Sequence, residues 1–309
     1  MNKVEVVVAV AGWEERFLKG LEHDIAAHQP ETVILLIFEE YVELTRKNRD
    51  ALTDQLTNKG ITIEEATLRR EPKEVWNTLR LTFSDARIAG KNILLDVSTM
   101  PREVIWWSLK FLQAIECNVD FVYHRPGSYS PDWLTRDTGE PRLVYQCSGI
   151  SRLGQPTGLL LLSGFDLDRA RRMIQYFEPS LILLGIQTGH QFDNQVKNID
   201  PSKSLGARTS LAKTFDVDAF GPDWGFQSTL DAVHPHLKSH NIIAASLGPK
   251  VSALSLFRLH SNYPEIALSY APSRQFNPEY SKGIGAPIEG TVLFWEVASD
   301  SLGYFPSTY

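Results

Sequence analysis

Two short stretches of the chain combine hydroxyl groups, a proline and a cation in the same order. Proline favours the first turn of a helix, and the free backbone N–H groups of that turn attract anions together with a neighbouring cation. Ordinary N-capping explains the hydroxyl and the proline, but not a cation in both stretches. The pattern therefore predicts a binding site for a phosphorylated ligand. The residues of this site are Ser98, Thr99 and Arg102 in the first stretch, and Ser246, Gly248 and Lys250 in the second.

A second pair of stretches, residues 12–16 and 164–169, begins with a glycine and ends with an arginine. In one interpretation the backbone of Gly12 and Gly164 lies beside the ligand, and Arg16 and Arg169 bind its phosphate. In the other, acidic residues at these helix starts complement the helix macrodipole and the arginines pair within the protein. The sequence leaves both interpretations open.

Catalytic chemistry has thinner support in the sequence. The first half offers one candidate catalytic set, in which Ser98 is the nucleophile, Asp96 lies close by and His124 is a more distant base. In the second half an alanine replaces Asp96, so only the first half could use this set. The chain has no Walker A loop and no G-x-G-x-x-G fingerprint, so no cofactor is expected. His234 and His236 project to different helix faces and have no carboxylate or cysteine partners at ligand spacing, so no metal is expected either.

Two proline-rich loops carry aromatic rings between basic residues. They lie at residues 123–133 and 270–280, and they include Arg125 and Arg274. Such rings can stack on nucleobases, because a ring accepts any base without hydrogen-bond readout. The alternative is that the rings pack over a sheet edge or between the two halves of the chain.

The elements that position these groups alternate in type. Buried-strand runs are separated by amphipathic helical stretches, which is typical of a mainly parallel sheet covered by helices. Ligands of such sheets bind beyond the carboxyl ends of the strands, near the switch in strand order, and each stretch above follows a predicted strand. The predicted strands are 4–10, 32–38, 61–66, 92–97 and 119–123, then 157–163, 181–186, 241–246 and 265–270.

The two halves of the chain match each other in order. Ser98 and Ser246 lie 148 positions apart, and the other matched stretches have similar offsets. We expect an α/β fold of two tandem Rossmann-like units with mainly parallel sheets, related by internal duplication and pseudo-two-fold symmetry. The alternative is one large α/β sheet whose strand ends share turn chemistry.

The predicted units comprise residues 1–150 and residues 157–290. Residues 151–156 form a linker between them, and residues 291–309, with a strand at 292–295, form a C-terminal tail that packs on the units. The polar segment 192–223 is interpreted as a mobile loop or lid.

Composition restricts the class of protein. The 309 residues correspond to about two average domains. The net charge of −6 makes duplex nucleic acid an unlikely partner, although a local basic pocket fits within that sum. Cys117 and Cys147 are too few for a disulfide framework. The sequence contains no run of about 18 apolar residues, which is the length that a membrane-spanning helix needs. A cytoplasmic protein is expected, and its oligomeric state is undetermined.

The segment from Ser246 to Lys250 resembles the fourth-strand motif of CARF-like Rossmann domains, the sensors of cyclic oligonucleotides in CRISPR-associated and related antiphage systems. That family shows a hydroxyl or glycine pair followed by Thr-Lys, so Gly248 and Lys250 match and Pro249 departs. The first stretch matches only in its hydroxyls and its cation. The resemblance implies a ligand bound across a pseudo-two-fold interface, where a homodimer would normally supply both copies of the motif.

The sequence therefore favours a sensor that binds a nucleotide-like or other phosphorylated ligand between its halves and signals to a protein effector partner, with a role in antiphage defence. One alternative is a hydrolase or nuclease of small phosphorylated substrates that uses Asp96, Ser98 and His124. The other is a non-catalytic scaffold subunit.

Overall fold

The first half of the chain forms a five-stranded parallel sheet with helices on both faces. The computed structural model describes residues 3–84, 88–130, 132–164, 166–188, 211–292 and 294. The elements of the first half are β1 (Val6–Val10), α1 (Glu15–His28), β2 (Thr32–Phe38), α2 (Val42–Lys59), β3 (Thr62–Leu68), α3 (Pro72–Phe83), β4 (Asn92–Asp96), α4 (Arg102–Ala114) and β5 (Asn118–His124). Three short strands follow, β6 (Ser128–Tyr129), β7 (Thr135–Thr138) and β8 (Arg142–Leu143).

The second half repeats this order. Its elements are β9 (Thr157–Leu162), α5 (Leu167–Phe177), β10 (Leu181–Gln187), β11 (Ala212–Val217), α6 (Phe226–Val233), β12 (Asn241–Ser246), α7 (Val251–Asn262) and β13 (Ala267–Tyr270). Short strands close this half as well, β14 (Ser273–Phe276), β15 (Ser281–Lys282) and β16 (Pro287–Thr291).

The two main sheets have the same strand order. One runs β3-β2-β1-β4-β5 and the other β11-β10-β9-β12-β13, and every one of these pairings is parallel. This is the Rossmann-like order, in which the switch point lies between the first and fourth strands of each unit. The predicted α/β fold with two Rossmann-like units is confirmed.

Each sheet is completed by a strand from the other unit. β16 pairs antiparallel with β5, with Ile288 opposite Tyr123, and β8 pairs antiparallel with β13, with Leu143 opposite Ser269. The strand that completes the first sheet is Pro287–Thr291. The strand predicted at 292–295 stays a prediction, because residues 293 and 295–309 lie outside the described residues. The unit boundaries given above stay a prediction.

The polar segment 192–223 contains one strand that sequence analysis missed. β11 pairs with β10 at the edge of the second sheet, so the prediction of a loop over the whole segment is wrong at Ala212–Val217. The exposed face of this edge strand carries polar residues, which hides the strand from a search for apolar runs. The part of the segment before residue 211 lies outside the described residues.

Alternating side chains of each sheet face two different layers. Val8 of β1 and Leu160 of β9 belong to one continuous core between the two sheets, whereas Val7 packs on the outer side with helix α1. α4 and α7 meet in the middle of this core, where the indole Nε1 of Trp106 donates to the carbonyl of Ala253 at 2.8 Å. We call the contact of α4 with α7, together with the strand ends that precede them, the seam. Among the described helices, none has the length and apolar character needed to cross a bilayer.

Candidate functional site

The seam brings together the two stretches that repeat a hydroxyl, a proline and a cation. β4 leads into α4, which begins at Arg102, and β12 leads into α7, which begins directly after Lys250. The N-terminal turns of both helices thus lie at the switch points of their sheets, where backbone N–H groups and helix dipoles favour negative charge.

Arg102 reaches from the first unit into the second. Its Nε donates to Oγ of Ser246 at 3.3 Å, and its Nη2 donates to the carbonyl of Gly248. Burial, with Arg169 nearby, lowers the pKa of this guanidinium below its ordinary value. Both acceptors are uncharged, so no carboxylate neutralises Arg102 through these bonds.

Lys250 occupies the matching position in the second unit and faces the first. Burial lowers its pKa well below 10.5, and the adjacent Arg16 lowers it further. In the part of the chain that the structure describes, its ammonium group has no hydrogen-bond or ion-pair partner. An anion bound beside Lys250 would offset both the cost of burying its charge and the repulsion from Arg16.

The arginines of residues 12–16 and 164–169 pair with acids of their own stretches. Nε of Arg16 lies 3.0 Å from Oε2 of Glu14, and Nε of Arg169 lies 3.3 Å from Oδ2 of Asp166. Burial acts to raise the pKa of Glu14, but Arg16, with the Ser281 hydroxyl and Lys250, outweighs burial and holds the pKa below its usual value. The structure therefore shows the internal pairing that sequence analysis kept as an alternative, and a direct role for either arginine at a ligand stays a prediction.

The charges at the seam form two matched sets. Arg102 is the neighbour of Arg169, and Lys250 is the neighbour of Arg16, so each cation of one unit lies close to an arginine of the other. Glu14 and Asp166 compensate two of these four cations. The seam keeps an excess of positive charge within a chain whose net charge is −6.

Three hydroxyls predicted to contact a ligand make hydrogen bonds within the protein. Oγ of Ser98 accepts from the backbone N–H of His124 at 2.8 Å, and Oγ1 of Thr99 donates to the carbonyl of Val10 at 2.6 Å. Oγ of Ser246 accepts from Arg102. These bonds fix the loops after β4 and β12, which positions the cations that follow.

Glycines permit the close approach of neighbouring loops at the seam. A Cβ at Gly12 would lie 2.7 Å from Cγ2 of Thr99. A Cβ at Gly164 would collide with the carbonyl of Leu247, and one at Gly248 with the carbonyl of Ser163. Packing of the loop after the first strand against the loop after the fourth therefore explains the glycines in both units.

Two loops, residues 125–141 and 271–286, cross between the units, and we call them the crossover loops. β6 pairs with β15, and β7 pairs with β14, so strands of one loop pair with strands of the other. Oγ of Ser281 donates to Glu14, and Oγ1 of Thr135 donates to Oδ2 of Asp166 at 2.9 Å. The crossover loops are thus attached to the acid and arginine pair of the opposite unit.

Several aromatic residues of these stretches pack on one another. The ring of Trp13 lies 5.4 Å from that of Tyr41 and 6.0 Å from that of Phe276, in tilted and edge-on contacts. Arg125 donates to the carbonyl of Ala286 at 3.2 Å. For Phe276, which contacts Trp13 of the first unit, the structure therefore shows the packing between halves that sequence analysis kept as the alternative to base stacking.

A buried polar cluster lies beside the seam in the first unit. His124 at the end of β5 directs Nε2 at both carboxylate oxygens of Asp24 on α1, at 3.0 Å each. Burial acts to lower the pKa of His124, but the hydrogen bond to Asp24 and the negative charges of Asp96, Asp24 and Glu289 together outweigh burial, and the pKa is raised. Burial also raises the pKa of Asp96, as does the nearby Asp24. Sequence analysis missed Asp24, whose one signal was a carboxylate within the apolar stripe of α1.

The candidate catalytic residues are close in the fold, but the expected pairing of nucleophile and base is not formed. The hydroxyl of Ser98 meets the backbone N–H of His124, and the imidazole faces Asp24. Asp96 accepts from the backbone N–H of Ser98 at 2.8 Å. The catalytic assignment therefore stays a prediction, and this geometry does not activate Ser98 through the imidazole.

No family model and no curated protein sequence matches the chain. Among solved structures, a type III CRISPR defence DNA nuclease activated by cyclic oligoadenylate matches 82% of this chain and 63% of its own length, with 11% identity and a TM-score of 0.49. Can2 from Sulfobacillus thermosulfidooxidans, solved with cyclic tetra-adenylate, matches 38% of this chain and 31% of its own length, with 13% identity and a TM-score of 0.30. The chain thus spans less than two thirds of either protein.

A further similarity is to a putative universal stress protein from Pseudomonas aeruginosa UCBPP-PA14. It covers 86% of this chain and 92% of the other, with 10% identity and a TM-score of 0.26. At these identities the similarities concern the α/β architecture alone, so the function is argued below from the residues of the seam.

Proposed function

We propose that the protein is a sensor that binds a nucleotide-like, phosphorylated ligand at the seam, with Arg102 and Lys250 as its charge contacts. The observation that carries the proposal is Lys250, whose side chain is half-buried beside Arg16 and has no hydrogen-bond or ion-pair partner among residues 211–292 or the other described ranges. Glu14 and Asp96 act on Lys250 from a distance, but neither carboxylate is in contact with it. A half-buried cation without a contacting acid is costly, and a bound phosphate supplies that contact.

Three features of the seam support an anion rather than a neutral ligand. The N-terminal turns of α4 and α7 converge there, and unsatisfied backbone N–H groups of such turns bind phosphate. Arg102 adds a planar guanidinium whose hydrogen-bond partners are uncharged. Its Nη2 can therefore replace the carbonyl of Gly248 with a phosphate oxygen as acceptor, and no ion pair is broken. The excess positive charge of the seam also attracts the ligand during encounter.

Tyrosines around the cations support a ligand larger than inorganic phosphate. Burial raises the pKa of Tyr270 and of Tyr280, so both phenols remain protonated donors at neutral pH. The ring of Tyr280 lies 5.9 Å from that of Tyr129, edge to face, between the crossover loops. Phenol O–H groups and ring faces of this kind bind the ribose and base of a nucleotide, whereas a bare phosphate uses only the cations.

Ligand binding at the seam provides a route to signalling. Each charge contact comes from one unit and acts next to an arginine of the other, so a bound anion changes the interaction between the units. The crossover loops are attached to the same groups through Ser281 and Thr135. We propose that the resulting change in their arrangement is read by a protein partner and that the response serves antiphage defence, as the CARF-like resemblance implies.

The test is a binding panel of mononucleotides and of cyclic and linear oligonucleotides, measured by calorimetry. We expect the double variant Arg102→Ala/Lys250→Ala to lose at least about tenfold in affinity, because charge-assisted hydrogen bonds contribute about 1.5–3 kcal/mol each. The matched control is Lys47→Ala/Lys73→Ala, which removes two exposed charges elsewhere on the first unit and should bind as the parent does.

The same incubation separates the competing functions. Recovery of the bound nucleotide intact supports a sensor, whereas its cleavage, abolished by Asp96→Asn or Ser98→Ala, supports the hydrolase. Binding that is equal in the double variant and in the control would overturn the assignment of the seam. Failure of the parent protein to bind any member of the panel would favour the scaffold.

A further inference from the structure

The polar cluster of the first unit includes a third group at its solvent edge. Nδ1 of His23 lies 3.4 Å from Oδ1 of Asp24, and the rings of His23 and His124 are 5.9 Å apart at near right angles. One donor atom from each of His23, Asp24 and His124 lies within 4.8 Å of the other two. Two imidazoles and one carboxylate thus converge where α1 packs on the end of β5.

We propose that His23, Asp24 and His124 bind one divalent transition-metal ion of the zinc class. Two histidine nitrogens and a carboxylate oxygen are the donors that such ions prefer, and three protein ligands leave a fourth position for water. At metal–ligand distances of about 2.0–2.1 Å, a tetrahedral site places its ligand atoms roughly 3.3 Å apart. The separations of 3.0 Å and 3.4 Å from Asp24 to the two histidines are close to this value.

Two unsatisfied buried atoms supply an independent argument. Nδ1 of His124 and Oδ2 of Asp96 are both buried without a hydrogen-bond partner. Metal-bound histidines almost always donate their other ring N–H to an outer carboxylate or carbonyl, which fixes the tautomer and the ring orientation. With Nε2 of His124 on a metal, Nδ1 carries the proton. Asp96 lies close enough to act on the charge of His124, so it is the candidate outer carboxylate.

The packing around the cluster fits a site that opens to solvent on one side. The side chains of Asp24 and His124 are 1% exposed, whereas that of His23 is 55% exposed. A Cβ at Gly20, one turn before Asp24 on α1, would lie 2.5 Å from Cδ2 of His124, so this glycine leaves room for the ring. An ion therefore enters past His23 and is held by two side chains whose positions are fixed by the core.

The second unit has no equivalent donors at the matching strand ends. Tyr270 ends β13 where His124 ends β5, and Ala244 of β12 takes the place of Asp96. The proposed site thus breaks the symmetry of the units, and we expect one ion per chain.

The test uses the full chain, stripped with a chelator and titrated with Zn²⁺ by calorimetry and with Co²⁺ by visible absorption. We expect one equivalent of Zn²⁺ to bind, and Co²⁺ to show the absorption bands of a site with nitrogen ligands. His23→Ala should weaken binding by at least about tenfold, and because His23 is exposed, the variant should remain folded. His28→Ala, a histidine of the same helix outside the cluster, is the matched control and should bind as the parent does.

Two further variants keep the inference falsifiable. Asp24→Asn preserves the shape of the side chain and removes its charge, and it should also weaken Zn²⁺ by at least about tenfold. His236→Ala probes a second close pair of imidazoles among the described residues, His236 and His240, whose rings lie 5.8 Å apart. Absence of Zn²⁺ binding at micromolar concentration, or binding that is lost in His236→Ala and unchanged in His23→Ala and Asp24→Asn, would overturn the proposal.

Discussion

Nε of Arg102 in the first unit donates to Oγ of Ser246 in the second, at 3.3 Å. The donor begins the helix after β4, and the acceptor ends β12, so the bond joins the two switch points of the molecule. Lys250, the counterpart of Arg102, has no such partner among the residues described. The two cations are thus equivalent in the fold and different in their bonding, which makes their separate substitution informative.

Replacement of Lys250 by arginine should change how ligand affinity depends on pH. The pKa of Lys250 is well below 10.5, so its charge is lost as pH rises through that lowered value. Affinity of the parent protein for the nucleotide that it binds best should then fall by about tenfold per pH unit above this pKa. An arginine keeps its charge throughout, so Lys250→Arg should hold its affinity over the same range. Parallel profiles for the two proteins, measured by calorimetry, would show that Lys250 does not contact the ligand.

Glu103 makes the stability of the protein depend on pH. Its carboxylate accepts two hydrogen bonds from Nη2 of Arg142, at 2.7 Å and 2.9 Å, yet burial raises its pKa from 4.5 to about 7. Because the folded state binds this proton more tightly than the unfolded chain, the contribution to the free energy of unfolding is lost as pH rises from about 4.5 through about 7.

Glu103→Gln should remove that dependence. Relative to the variant, the parent protein should lose about 3 kcal/mol of unfolding free energy between pH 4.5 and pH 8, measured by urea denaturation. Glu140→Gln changes an exposed carboxylate of the same region and should follow the parent at both pH values. A Glu103→Gln curve that runs parallel to the parent curve would contradict this role of burial.

The two hydrogen bonds that attach the crossover loops should contribute unequally. Ser281 donates to Glu14, whose side chain is 10% exposed, and Thr135 donates to Asp166, whose side chain is 25% exposed. A carboxylate that loses a hydrogen-bond donor is destabilised more when it is more buried. Ser281→Ala should therefore lower the free energy of unfolding more than Thr135→Ala does, and each loss should be about 1–3 kcal/mol or less. Urea denaturation of both variants gives the order, and the reverse order would show that solvent already hydrates Glu14.

Sequence analysis predicted the strand pattern because buried strands of parallel sheets are continuous apolar runs, such as Thr32–Phe38 and Leu181–Gln187. Sequence analysis missed β11 because this edge strand alternates polar with apolar residues, so its sequence resembles that of a loop. The sequence also repeats Gly139-x-Pro141 as Gly285-x-Pro287, one of the matched stretches of the two halves. The exchange of β8 and β16 that follows this repeat was not visible in the sequence, because pairing between distant strands has no local signature.

The positions of the two cations follow from the sequence more directly than the hydrogen bonds of the hydroxyls do. Arg102 and Lys250 meet at the seam because each follows a strand that ends at a switch point, which periodicity alone reveals. The bonds of Ser98 and Thr99 to backbone groups depend on the tertiary fold, in which His124 and Val10 are brought beside them. Asp24 was missed for a related reason, since its partner lies 100 residues away.

The exchange of β8 and β16 makes the covalent link between the halves dispensable once the protein has folded. Each half supplies the outermost strand of the other half's sheet, so neither sheet is complete on its own, and each half alone would expose the edge of β5 or β13. The linker at residues 151–156 is mostly exposed, and its cleavage should therefore yield two fragments that remain associated and elute as one species. We therefore expect the two halves to behave as mutually complementing fragments, each the folding partner of the other.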